Sequence, residues 1–416
     1  PVFMLLALAL AAPTGKAAMR MAESLIKTNL PLPESIKQQF AALQPSTLHS
    51  LLKREKDSPY YKHNRENPLP YDVIIIDEAS MIDAALFAKM LEAIAPSSRL
   101  LLLGDKDQLA SVEAGSLFGD LCRIKGVLNR VGEEKAGVIN SFLLSEEQHV
   151  VGIDSTLSAH LLAEHITELR FSHRFQGEEG IGRLSKAIIQ NSETDIAHFI
   201  AHPTHDVQID QQYDEKVFHS FIEGYEAYIC EENVQAALQK LGALRVLCAV
   251  REGEKGLYQT NRKIEKYLTK QRWLDISTPF YENRPIIITR NYYSLGLFNG
   301  DIGIVRTIDG ETKVWFETSE GGVRGIAPVY LQDVETVFAM TVHKSQGSEY
   351  DRVLLVLPDS PHLPLLTREL LYTAVTRAKT IVVIQGRADV LYQCAKGQVK
   401  RASGIAERFT LHSQIQ

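Results

Sequence analysis

Five apolar runs of strand length, at 73–76, 100–103, 246–250, 353–357 and 381–385, each give way to a polar, small or turn-forming residue. Helical patterns lie between most of them, as at 84–95 after the first, and that alternation builds parallel sheets flanked by helices. One sheet is expected early in the chain and one late. At 416 residues there is enough chain for two or three domains, each with its own core.

Residues 285–338 break the pattern. Short alternating runs at 285–290, 303–308, 313–318 and 323–326 are joined by turn signals at Asn299-Gly300-Asp301, Asp309-Gly310 and Gly321-Gly322. That spacing predicts a small antiparallel barrel inserted into the second α/β unit. Residues 122–165 are mixed and weakly periodic, and 54–70 read as a charged loop punctuated by proline.

The opening stretch PVFMLLALALAAPTGKAAMR admits three readings. A secretory signal would use the apolar run and Ala9-Leu10-Ala11, but the charged start is missing. A phosphate loop of the pattern G-x-x-x-x-G-K-[ST] needs glycine where Leu10 stands and a hydroxyl where Ala17 stands. What survives is a buried parallel strand over 3–10 that delivers a polar turn to a sheet edge, where open α/β sheets bind ligands.

The net charge of -6 argues against indiscriminate coating of nucleic acid while leaving room for a local basic groove. No apolar run reaches the roughly 18 residues that a bilayer span requires, so no membrane role is expected. Cys122, Cys230, Cys248 and Cys394 are widely spaced with no C-x-x-C, which reads as four unpaired thiols in a reducing cytosol.

Chemistry concentrates where strands end. In DVIIIDEASMID the strand delivers Asp77 and Glu78, one able to hold magnesium and the other to orient or deprotonate water. Acids at that place also suit a helix N-terminus, so the pair alone decides little. The next strand ends in Gly104-Asp105, with Gln108 placed to report on a γ-phosphate at the same edge. Two neighbouring strands both ending in acids is what a nucleotide site on a parallel sheet requires. In the second half, Arg170 and Arg174, the run FAMTVHKSQGSEYDRVLLVLP with His343, Lys344, Gln346 and Glu349, and Arg377 supply charges suited to phosphoryl groups or a nucleic-acid backbone. Singly, each reads as a solvated charge.

In this order the series resembles the superfamily 1 DNA helicases, and within them the RecD family, the alpha chain of exodeoxyribonuclease V. Residues 10–18 look like that family's motif Ia, Thr47-Leu48-His49 like a DNA-side motif, 77–80 like motif II and 104–109 like motif III. Residues 171–175, 341–349 and 372–379 look like motifs IV, V and VI. The stretches DQLASVEAG and LGLFNGDIG favour RecD over other branches. The resemblance implies two RecA-like α/β domains with an inserted barrel of the Src-homology-3 type: 1–150 as the first domain, 151–284 and 339–416 as the second, and 285–338 as the insertion.

It further implies a motor that couples ATP hydrolysis with Mg²⁺ to 5′ to 3′ movement along single-stranded DNA. Such a motor works in a cytoplasmic heterotrimer with RecB- and RecC-type subunits that processes double-strand breaks. Asp77 would hold the metal and Glu78 activate water. Gln108, Arg174 and Arg377 would sense the γ-phosphate, with Gly347 and Glu349 also at the nucleotide. Pro13, Thr14, Lys16, His49, Thr341, His343 and Lys344 would meet DNA. The family's ATP-gripping Walker A loop lies ahead of motif Ia and is absent here, so the chain reads as a C-terminal portion that is ATPase-inactive alone. The helicase part of a conjugative relaxase, or a DNA-binding scaffold without enzymatic activity, shares these motifs and is told apart by the sequence upstream.

Overall fold

Two wholly parallel sheets and one antiparallel sheet organise the chain, as described by a computed structural model covering residues 6–27, 37–38, 42–55, 58, 60–110, 117–122, 129, 131–142, 149–153, 162, 165–169, 172, 174–175, 179–318 and 321–398. In the first sheet, strands β1 (Leu8–Ala12), β2 (Ser46–Thr47), β3 (Val73–Ile76) and β4 (Arg99–Leu102) run in the order β2-β1-β3-β4. Strand β1 lies later than the expected 3–10, because the small Ala11 and Ala12 continue the ladder into β2 opposite Ser46 and Thr47. Residues 3–5 of the expected strand lie outside the described residues, as does Arg170.

Asp83 fixes the start of the helix Ala84–Glu92, its carboxylate accepting the Leu86 amide at 2.8 Å. Phe87 and Met90 of that helix pack on Ile74 and Ile76 of β3. Strand β4 forms the outer edge of the sheet, with Leu101 and Leu103 exposed. Further on, β5 (Val131–Gly132) and β6 (Gly152–Ile153) make a two-residue parallel pair.

The second parallel sheet contains β7 (Val207–Asp210) and β8 (Leu244–Cys248). The chain then leaves it for β9 (Pro285–Ile288), β10 (Ile302–Ile308), β11 (Glu311–Glu317), β12 (Val323–Ile326) and β13 (Val334–Thr336). It returns with β14 (Ala339–Thr341), β15 (Tyr350–Val356) and β16 (Ala378–Gln385), giving the order β14-β8-β15-β16-β7. Helices Gly180–Gln190 and Arg368–Thr376 bury Leu184, Ile188, Leu370 and Leu371 in the same core as Val353, Leu355, Val382 and Ile384.

The insertion is a five-stranded antiparallel sheet in the order β12-β11-β10-β9-β13. Asp309 (φ 53°) and Gly310 (φ 80°) form the two-residue left-handed turn between β10 and β11, placing Ile308 opposite Glu311. Its core is Ile286, Ile288, Val305, Val314 and Phe316. Among the described residues β12 and β13 do not pair, so the sheet is open where a closed barrel was expected. The amide of Val337 donates to Pro285 O at 3.0 Å, which ties the two ends of the insertion together.

Candidate functional site

Parallel strands present their polar turns at one edge, and here two such edges face each other. From the first sheet come Pro13-Thr14 after β1, Asp77-Glu78 after β3 and Asp105 beyond β4. From the second come Thr341 to Glu349 after β14 and Arg377 ahead of β16.

Glu78 has φ 52°, a left-handed conformation that costs a β-carbon-bearing residue energy and that active sites often retain. Burial pushes its carboxyl above the usual carboxylate range, and Asp77 and Asp105 add to this against the opposing pull of Arg377 and Arg20. A half-buried carboxylate of raised pKa facing a guanidinium is suited to accept a proton from water. Asp77 accepts the Glu78 amide through one oxygen at 2.8 Å.

Arg377 is buried at 3% exposure and is held by the carbonyls of Thr373 (3.3 Å) and Ser348 (3.1 Å). Arg174 donates to Thr376 O at 3.1 Å and pairs with Glu349. Glu349 also lies 3.6 Å from Arg20 and 4.0 Å from Lys379. One acid thus stands among three cations, with Arg377 close enough to feel its charge.

Gln108 donates to Asp105 Oδ2 at 3.3 Å, and its own amide oxygen is buried without a donor among the described residues. The helix Arg368–Thr376 and the turn after β14 grip the loop that carries it. Tyr372 donates to the same Asp105 oxygen at 2.8 Å, Thr373 Oγ1 accepts the Leu109 amide at 2.7 Å, and Gln346 donates to Leu109 O.

Thr14 caps the helix Gly15–Lys27 by accepting the Ala17 amide at 3.2 Å. Gly347 (φ 67°) lies against that helix start, where an added β-carbon would sit at ordinary contact distance, 3.8 Å from Thr14 Oγ1. Lys16 stays open to solvent on one side, yet protein surrounds it enough that desolvation lowers its ammonium pKa.

At the C-terminal ends of β8, β14 and β15 is a cleft of about 960 Å³ lined by Thr341, His343, Lys344, Gln346, Arg251 and Lys255. Lys344 is paired there with Glu335 at 3.1 Å, and the Thr341 hydroxyl accepts the Lys344 amide at 3.3 Å. His49 is not gathered with this group. Its neighbours are Tyr61, Arg54 and Asp83, and burial lowers its imidazole pKa.

Sequence reasoning missed Arg20, Tyr372, Thr373, Arg251 and Lys255. Arg20 carried a usable signal, since it follows Lys16 by four positions on one helix and so shares its face.

Residues 4–114 match the AAA domain family, and residues 336–384 match the UvrD-like helicase C-terminal domain family. The RecBCD enzyme subunit RecD of Mycolicibacterium smegmatis is 36% identical over 410 residues, a match covering 96% of this chain and 66% of the relative. That of Haemophilus influenzae is 33% identical over 432 residues, covering 96% and 64%. The chain belongs to the RecD family. It spans about two thirds of the length of these RecD subunits. The ATP-dependent RecD2 DNA helicase of Deinococcus radiodurans is 27% identical over 409 residues, covering 97% of this chain and 46% of that protein. Within the RecD family the two parallel sheets are α/β domains of the RecA-like kind.

Proposed function

We propose that this chain is the motor segment of an ATP-dependent DNA helicase or translocase of the RecBCD type, moving 5′ to 3′ on single-stranded DNA in the cytoplasm. The observation that carries the reading is the meeting of Glu78, at the edge of the first sheet, with Arg377, Arg174 and Glu349 where the edge of the second sheet faces it. The names of the RecD relatives support assembly with RecB- and RecC-type subunits.

Residues 1–150 form the first domain in this reading, 151–284 with 339–416 the second, and 285–338 the inserted antiparallel sheet. ATP would bind where the two sheet edges face each other, between Glu78 and Arg377. Asp77 would hold a magnesium ion, whose usual shell of one or two carboxylates, phosphate oxygens and water fits a strand-end acid and which would supply charge neutralisation at the phosphates. Glu78 takes the proton of the attacking water, and Gln108, Arg174 and Arg377 meet the γ-phosphate, with Gly347 and Glu349 beside the nucleotide. Single-stranded DNA runs past Pro13, Thr14, Lys16 and His49 on one side and Thr341, His343 and Lys344 on the other, where the cleft is also lined by Arg251 and Lys255 beside Glu252, Glu254 and Asp359.

Binding titrations test this. Magnesium-ATP affinity should fall in Arg377→Ala with DNA affinity unchanged, and the reverse should hold in Lys344→Ala. DNA affinity should decline with salt at a log–log slope of roughly -3 for about four phosphates. Salt-independent DNA binding, or ATP binding indifferent to Arg377→Ala, would defeat the reading.

A further inference from the structure

The helix Gly15–Lys27 touches both proposed ligands. Its N-terminus offers Thr14 and Lys16 to the DNA side, while the second domain closes on the next turn: Gly347 packs on Ala17, and Glu349 reaches Arg20 at 3.6 Å. Ala17 and Arg20 are three positions apart and Lys16 and Arg20 four, so all three lie along one face. Arg20 is about one-third exposed, and its charge is felt by Lys16 as well as by Glu78 and Arg377. Its partner Glu349 is shared with Arg174 and Lys379. One carboxylate cannot satisfy three cations, and a polyphosphate entering the cleft offers them more negative charge in better geometry.

We propose that Arg20 is a nucleotide-responsive positioning residue, paired with Glu349 and drawn to the phosphates when a nucleoside triphosphate binds, so that the helix presenting Lys16 to DNA registers nucleotide occupancy. This rests on the nucleotide reading of the cleft. The carry-over needs no long pathway, since one helical turn separates Lys16 from Arg20 and a short rigid element transmits a shift at one end to the other.

The test titrates magnesium-ATP and magnesium-triphosphate into the wild-type chain, Arg20→Ala, Arg20→Lys and Arg377→Ala. Single-strand affinity is measured for each with and without ATP. Losing one charge-assisted contact should weaken triphosphate binding about 10-fold or more in Arg20→Ala. DNA affinity without nucleotide should stay within about 2-fold of wild type, the shift in DNA affinity caused by ATP should vanish, and Arg20→Lys should restore part of it. An alanine variant that binds triphosphate like wild type and keeps the ATP-induced shift overturns the proposal. So does one that loses DNA affinity equally with and without ATP, because Arg20 would then be a DNA contact. If neither wild type nor Arg377→Ala binds triphosphate, the nucleotide reading falls and takes this inference with it.

Discussion

Replacing Thr373 by valine should loosen the grip of the second domain on the loop that carries Gln108. The Thr373 hydroxyl is the acceptor for the Leu109 amide at 2.7 Å, Thr373 is fully buried, and Leu109 is 5% exposed. Valine keeps the branched shape, so no cavity opens and the effect is confined to one hydrogen bond. A buried amide left without an acceptor costs about 1–3 kcal/mol, which is about a 5- to 150-fold increase in the opening of this contact. Hydrogen exchange resolved at Leu109 reads that number directly. The amide should exchange faster by that factor in Thr373→Val, while amides of β15 and β16 keep their protection. Thr373→Ser retains the oxygen and should exchange like wild type. Leu109 protection unchanged in the valine variant would refute the reasoning, as it would mean that the Tyr372 contact to Asp105 and the Gln346 contact to Leu109 O hold the loop without Thr373.

Three further outcomes are expected. Glu78 has a raised pKa in the folded state, so its carboxyl favours folding below the ordinary carboxylate pKa and loses that contribution as pH rises through the raised value. Glu78→Gln should therefore unfold at higher temperature than wild type near neutral pH, an advantage that disappears in acid; a gain independent of pH would contradict it. Gly303→Ala would set a β-carbon 2.7 Å from the Phe316 ring and 2.8 Å from Trp315 O, so thermal or denaturant unfolding should show a loss of about 1–3 kcal/mol. Glu335→Gln removes the ion-pair partner of Lys344 and should tighten single-strand binding, steepening its salt slope by about 0.7 if the released ammonium adds one phosphate contact.

The strand ends that carry chemistry were legible because a buried parallel strand must be apolar until it stops. The run 73–76 is β3 as expected, with Asp77-Glu78 directly after it. Asp309-Gly310 was legible because its turn demands two left-handed residues. Strand β7 was not, since Val-Gln-Ile-Asp is too short and polar to show a pattern and is held by pairing with β16 across the sequence. Strands β13 and β14 hid for a similar reason, being three residues each with only a short link between them. The left-handed backbone of Glu78 leaves no mark in composition. Arg20 and Tyr372 acquire meaning only when Glu349 and Asp105 arrive from the opposite domain, which spacing along one chain does not encode.

The hydrogen bond from Val337 to Pro285 has a kinetic corollary. Strands β8 and β14 pair Val246 with Ala339, about ninety positions apart, and closing so long a loop is slow and entropically costly. Strands β9 to β12 of the insertion pair as sequence neighbours, in hairpins of the kind that close in microseconds, and the pairing of β13 with β9 then brings residues 285 and 337 together. Once it has folded, the search left to β8 and β14 is that of a far shorter chain. The insertion thus acts as an internal clamp on the folding path of the domain that hosts it, and substitutions that weaken its hairpins should slow refolding of that domain well beyond their effect on its equilibrium stability.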